Sequence, residues 1–101
     1  MLSLQAPRSA HETFRLLANA TNRLILDELA RGPSYPREIA ARIGHGEDDV
    51  QRKLQRLERA GFVRGAWVHR GKTIKEYVLA ASRVEVSLEH GLDLTVEPRE
   101  A

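Results

Sequence analysis

The chain has no cysteine, one methionine, one tryptophan and few aromatics of any kind. Without cysteine it can form no disulfide, no thiolate metal site and no Cys nucleophile. It also lacks any apolar run near the roughly 18 residues that a membrane-spanning helix needs. The first ten residues, MLSLQAPRSA, have neither the basic start nor the long apolar stretch of a secretion signal. These absences lead us to expect a cytoplasmic protein with no membrane partner. Chemistry is equally sparse. There is no Gly-rich phosphate loop, since Gly44-His45-Gly46 is too short for one. No Ser, His or Asp sits in a nucleophile motif. An enzyme is therefore not expected, and no cofactor is implied.

What is present is enough for one globular domain. A length of 101 residues with a 42% hydrophobic share supports a core and argues against general disorder. The net charge of +2 conceals a strong asymmetry. Residues 50–75 hold eight Lys or Arg against one acid, Glu58, a balance of +7. Residues 1–49 balance at −1 and residues 76–101 at −4. One basic segment in a near-neutral chain points to a polyanionic partner more strongly than total charge does. Thirteen of the 16 basic residues are Arg, which suits phosphate and base contacts, although a GC-rich genome gives the same bias.

The pattern predicts four helices followed by strands. Ser9 and Glu12 have capping-box spacing and open a first helix to about Asn19, with Phe14, Leu17 and Ala18 inward. A second runs from Thr21 to Arg31, with Leu24, Ile25 and Leu29 inward and Gly32-Pro33 as its stop. Pro36 fits the first turn of a third helix over 36–43, burying Ile39, Ala40 and Ile43. After the Gly44-His45-Gly46 turn, a fourth helix spans Glu47 to Ala60 and Gly61 ends it. Phe62–Val68 and Thr73–Leu79 read as two strands joined by a loop at His69-Arg70-Gly71-Lys72. In the tail, Val84, Val86 and Leu88, then Leu92, Leu94 and Val96, alternate with polar residues around His90-Gly91. This favours a second β-hairpin. A fifth helix from Ser82, with a Ser82–Glu85 capping box, is the alternative. Residues 1–8 and 98–101 read as flexible ends, 9–80 as the main domain and 81–97 as a C-terminal dimerisation segment.

On a helical wheel with Val50 at zero, Leu54 and Leu57 fall within about 40°, which makes a core stripe. Asp48, Gln55, Arg59 and Arg52 fall at roughly 140–200°, on the opposite side, with Gln51 and Arg56 flanking them. Arg is the commonest reader of guanine, and Gln can pair with adenine. The hairpin adds Arg64, His69, Arg70, Lys72 and Lys75, whose side chains could reach phosphates or a minor groove. A bland account is that these charges only solvate a helix face. The adjacent hairpin favours the functional one, because a groove-sized helix beside a basic ribbon is the outline of a winged helix-turn-helix. The candidate DNA-binding residues are Arg37, Gln51, Arg52, Gln55, Arg56, Arg59, Arg70 and Lys72. Trp67 and Tyr77, on the ribbon, are expected to pack on the helices rather than stack on bases.

The ordered set of landmarks from LANATNRLILDELARGPSYPREIAARIG through VQRKLQRLERAGFVRG to GKTIKEYVL resembles the ArsR-type winged helix-turn-helix regulators of bacteria and archaea, over about residues 14–79. The resemblance implies an α+β, mostly helical fold of four helices plus a β-hairpin wing. It also implies a homodimer on double-stranded DNA. In that arrangement helix 47–60 enters the major groove, wing 62–79 meets the flanking backbone or minor groove, and promoter covering represses transcription. The metal-sensing branch uses Cys pairs or a His/Asp/Glu set, so the resemblance is to a member that does not sense metal. His90 with Glu89 and Asp93 is the nearest approach to a metal site, and surface histidines are the expected reading.

One feature departs from the family pattern. Glu47, Asp48 and Asp49 open the recognition helix, and carboxylates facing phosphates oppose binding. Acids also suit a helix N-terminus, and Asp48–Arg52 and Asp49–Lys53 have ion-pair spacing. Two other readings remain. One is a winged helix that docks another protein through this acidic start. The other is a sequence-neutral architectural DNA binder.

Overall fold

The computed structural model describes residues 7–100, with side chains described from Ala10 onward. Four helices come first: α1 (Pro7–Ala18), α2 (Ala20–Arg31), α3 (Pro36–Ile43) and α4 (Glu47–Arg59). Four strands follow: β1 (Val63–Arg70), β2 (Lys72–Leu79), β3 (Ala81–Ser87) and β4 (Asp93–Pro98). The strands form two separate antiparallel hairpins, β1-β2 and β3-β4. A helix-turn-helix made of α3 and α4 with the β1-β2 ribbon beside it is the expected winged arrangement.

The core lies where the periodicity placed it in α3 and α4. Val50, Leu54 and Leu57 are fully buried on one stripe of α4, facing Ile39 and Ala40 of α3 and Ile25 and Leu29 of α2. Gly61 closes α4 with a positive φ of 86°. The Phe62 amide donates to the Leu57 carbonyl at 2.9 Å and the Gly61 amide to Glu58 at 3.1 Å, a pairing that requires the left-handed residue between them. This turns Phe62 and Val63 into the core and starts the wing at a defined angle.

The first two helices differ in detail from the expectation. α1 already includes Pro7, so Ser9 lies within it and is not its cap. Pro7 and Arg8, expected as part of a loose end, are helical; residues 1–6 lie outside the described residues. Among the described side chains of α1, Ala10 and Thr13 are buried, Phe14 is half-buried and Ala18 is exposed. In α2 the inward residues are Asn22, Ile25 and Leu29, while Leu24 is 42% exposed. The cause is the cap. The Asn19 side chain accepts from the Asn22 amide at 3.0 Å, and the Asn22 side chain donates to the Leu16 carbonyl at 3.0 Å. Starting α2 at Ala20 and holding Asn22 inward rotates Leu24 toward solvent.

The tail is the second hairpin, and the alternative helix does not form. Val84 pairs with Val96 and Val86 with Leu94, so these four share one face. Val84 and Val96 pack on the core, and Leu94 is fully buried. The Ser82 hydroxyl is taken by the Glu97 and Pro98 carbonyls, and Glu85 pairs with Arg83, so no capping box exists. A helix would have kept Val84 and Leu88 together but dispersed Leu94 and Val96.

The wing meets the helices through Tyr77. Its backbone forms both bonds of an antiparallel bridge with Ser34, at 3.1 and 2.7 Å, and its ring is buried. Gly65 is its cross-strand partner. A β-carbon at Gly65 would lie 2.8 Å from the Tyr77 ring, so this mid-strand glycine makes room for the ring. Gly65→Ala is expected to lower stability by about 1–3 kcal/mol, read as a lower urea midpoint at unchanged slope. An unchanged midpoint would show that the ring can move aside.

Candidate nucleic-acid interface

α4 presents Gln51, Arg52, Gln55, Arg56 and Arg59 to solvent, opposite the Val50-Leu54-Leu57 stripe. The wheel therefore places all five on one accessible side. The wing contributes Arg64, Arg70 and Lys72, also exposed. Among the described residues, Arg37, Arg56, Arg59, Arg64 and Lys72 stand in no ion pair.

A cleft of about 470 Å³ connects the helices to the wing and is lined by Tyr35, Arg37, Glu47, Arg70, Lys72 and Ile74. Three of the eight candidate residues, Arg37, Arg70 and Lys72, thus meet at one place. The other five run along α4. The structure brings the set together as two groups, and Glu47 is the one carboxylate that lines the cleft. Arg70 is partly engaged, 3.3 Å from Glu76 across the hairpin.

The acids at the start of α4 are mostly occupied within the helix. Glu47 accepts from the Gln51 side chain at 3.4 Å. Asp49 pairs with Lys53 at 3.0 Å and with Arg52 at 3.6 Å. Arg52 thus pairs with Asp49, not with Asp48, because the three-residue spacing brings its guanidinium nearer. Asp48 alone has no such partner among the described residues. The hydrogen bond from Lys53, which outweighs slight desolvation and is helped by the Lys53, Arg52 and His45 charges, holds the Asp49 carboxyl below its ordinary 3.8.

Sequence reasoning missed what holds the wing against α4. Glu58 accepts from the Gly65 amide at 3.0 Å and from Lys75 at 3.4 Å. Lys75 also stands over the Tyr77 ring, 5.2 Å from its centre. Desolvation disfavours its charged form, but Tyr77 and Glu58 outweigh this and raise its pKa above 10.5. A glycine inside a strand run was the available signal for a close approach at Gly65. Two wing expectations change. The tip is tighter than a four-residue loop: Arg70 pairs with Lys72 and His69 with Thr73, with Gly71 between at φ 78°. Trp67 does not pack on the helices; it is 70% exposed, because the ribbon carries it past the end of the core.

His11, His45, His69 and His90 stand on α1, the α3–α4 turn, β1 and the second hairpin's turn. Among the described residues no group of three metal-ligating side chains is gathered. None of the described helices is long and apolar enough to cross a membrane.

This architecture is shared with solved transcriptional regulators. The reduced form of YodB from B. subtilis superposes with a TM-score of 0.61 at 25% identity, covering 75% of this chain and 74% of that one. A homodimeric winged helix-turn-helix DNA-binding domain from Mycobacterium bovis, a possible ArsR-family transcriptional regulator, gives 0.61 at 26%, covering 78% and 76%. An ArsR family transcriptional regulator gives 0.58 at 24%, covering 70% and 75%. No family model and no curated protein matches the chain. The chain has the winged helix-turn-helix fold, and its structural neighbours are ArsR-family and related transcriptional regulators, not enzymes.

The pairing at the start of α4 has a pH signature. A carboxyl with a lowered folded pKa stabilises the fold above its unfolded value, and this is lost as pH falls through the folded value. Asp49→Asn should therefore remove part of the acid-side loss of stability below about pH 3.8 and leave the neutral-pH slope unchanged. Thermal melts across pH 2–7 read this; identical acid limbs for both proteins would show that the Asp49 pairs contribute nothing.

Proposed function

We propose that this protein is a homodimeric, sequence-specific double-stranded DNA-binding transcriptional regulator that acts as a cytoplasmic repressor. The observation that carries the reading is the exposed Arg/Gln side of α4, opposite that helix's fully buried stripe, with the basic wing and the cleft at Arg37, Arg70 and Lys72 beside it. In this reading Arg52, Gln51 and Gln55 meet base edges in a major groove. Arg56, Arg59, Arg37, Arg70 and Lys72 meet phosphates. The cleft at Arg37, Arg70 and Lys72 fits a backbone passing between helix and wing.

The paired state of Asp49 supports DNA over an acidic protein-docking face. Its charge is compensated by Arg52 and Lys53, which leaves Glu47, bonded to the neutral Gln51 amide, and Asp48 as the exposed acids. Asp48 can also accept from a cytosine amino group.

A homodimer is supported by the second hairpin and by the M. bovis neighbour, which is homodimeric. The apolar face of β3-β4 is covered by the core at Val84 and Val96 but continues outward to Val86, Leu88 (73% exposed) and Leu92. We assign 81–97, with α1, to the contact between copies.

Two measurements test this reading. Duplex selected from a random pool should bind with a log–log salt slope of about −5 if six phosphates are neutralised. Arg70→Ala should weaken all sequences alike and reduce that slope by about 1, whereas Arg52→Ala should relax discrimination at one position by about 1–3 kcal/mol. If neither variant changes binding, the DNA reading fails and protein docking replaces it. Separately, light scattering at micromolar concentration should give a dimer mass, and Val86→Glu should give a monomer. A monomeric wild type removes the two-site geometry.

A further inference from the structure

Trp67 is the large aromatic that the fold leaves bare among the described residues. It is 70% exposed, while Tyr77, on the same face of the ribbon, is 3% exposed. Strand pairing places Trp67 opposite Lys75, on the face shared by Gly65, Tyr77, His69 and Thr73. That face turns toward α4, because Lys75 reaches Glu58 there. The indole sits one residue pair beyond the Gly65–Tyr77 contact, toward the wing tip.

Its surroundings are cationic. Lys75 is opposite on the same face, and Arg64, Arg70 and Lys72 project from the ribbon's other face, so the strands on both sides of the indole carry positive charge. The two acids at hand, Glu58 and Glu76, are already engaged by Lys75 and Arg70. A bare indole offers a flat apolar contact, and the charge of the ribbon that carries it selects what covers it. The occupant must be anionic and must also offer flat apolar surfaces. A nucleic acid does both, through its phosphates and through its sugars and bases.

We propose that Trp67 is an apolar wedge that enters the minor groove beside the α4 site. There its indole packs on sugar and base edges and favours a pyrimidine–purine step, which unstacks readily. This rests on the DNA-binding reading above and adds a residue that sets sequence preference through deformation rather than hydrogen bonding.

Trp67 is the only tryptophan in the chain, so its emission reports its own environment. The full chain is titrated with a fluorescein-labelled duplex from its selected pool, or random-sequence duplex at low salt if none enriches. Fluorescein anisotropy reads binding; tryptophan emission and acrylamide quenching read the indole. The expected result is that emission falls and acrylamide access drops along the same binding curve. Trp67→Ala should weaken binding about 5- to 100-fold with an unchanged salt slope and should lose any preference for a flanking pyrimidine–purine step. Trp67→Phe should retain most of both. Anisotropy that rises while emission stays constant, with Trp67→Ala binding as wild type, overturns the wedge alone. Emission that shifts with protein concentration in the absence of DNA places the indole against a second copy and also overturns it. If no duplex raises the anisotropy, the regulator reading itself fails, and the wedge with it.

Discussion

Tyr77 ties together the parts that any ligand of the basic surface would touch. Its amide and carbonyl bridge Ser34, whose hydroxyl donates to Glu38 in the first turn of α3 at 2.6 Å. Its ring fills the space that Gly65 leaves on β1. Lys75 stands over that ring and reaches Glu58 on α4. The start of α3, the end of α4 and both wing strands therefore refer to one residue. Groups on separate elements hold a common geometry only when the supporting contacts are themselves fixed by packing. Here the fixing contact is a buried aromatic pinned by two backbone hydrogen bonds.

The acids within the basic region act as spacers. Glu58 holds Lys75, Glu76 holds Arg70 and Asp49 holds Lys53 and Arg52. Exposed pairs of this kind add little stability, about 0–1 kcal/mol each. Their larger effect is positional: they set where Lys75, Arg70, Lys53 and Arg52 rest, while Arg56, Arg59, Arg64 and Lys72 stand in no ion pair among the described residues. The three acids before Val50, which by sequence looked like a barrier to a polyanion, are partly converted into internal partners by helical spacing alone.

The helix-turn-helix was legible because its signals are local. The stripe of Val50, Leu54 and Leu57, Pro36 at a first turn and Gly61 at a helix end each act within a few residues, and all appear as read. The second hairpin was legible because its alternation places Val84, Leu94 and Val96 on one face. What could not be read depends on distant partners. Leu24 is exposed because Asn22 finds the Leu16 carbonyl. Trp67 is bare because the ribbon outruns the core, a matter of strand length against helix length. The Glu58 contact with Gly65 and Lys75 joins residues up to 17 apart in sequence; only the glycine within a strand hinted at it. Seven of the eight candidate residues could be placed on one face of α4 or near the wing tip, and Arg37 on the third helix, but the cleft shared by Arg37, Arg70 and Lys72 is a tertiary fact.

The proposed dimer must also answer an electrostatic objection, since residues 76–101 carry a balance of −4 and two copies meeting there would repel. Strand register resolves it. Arg83, Glu85, Asp93 and Glu97 lie on the polar face of β3-β4, opposite Val84, Val86 and Leu94. Arg83 is bound to both Glu85 and Glu97, which reduces the field of the pair. Copies that join through the apolar face keep their carboxylates turned away from each other, where water screens them. The proposed joint takes no residue of the +7 segment. In the proposed dimer an acidic, apolar-faced hairpin is thus a suitable joint: it contributes contact area without drawing a polyanion toward the joint itself.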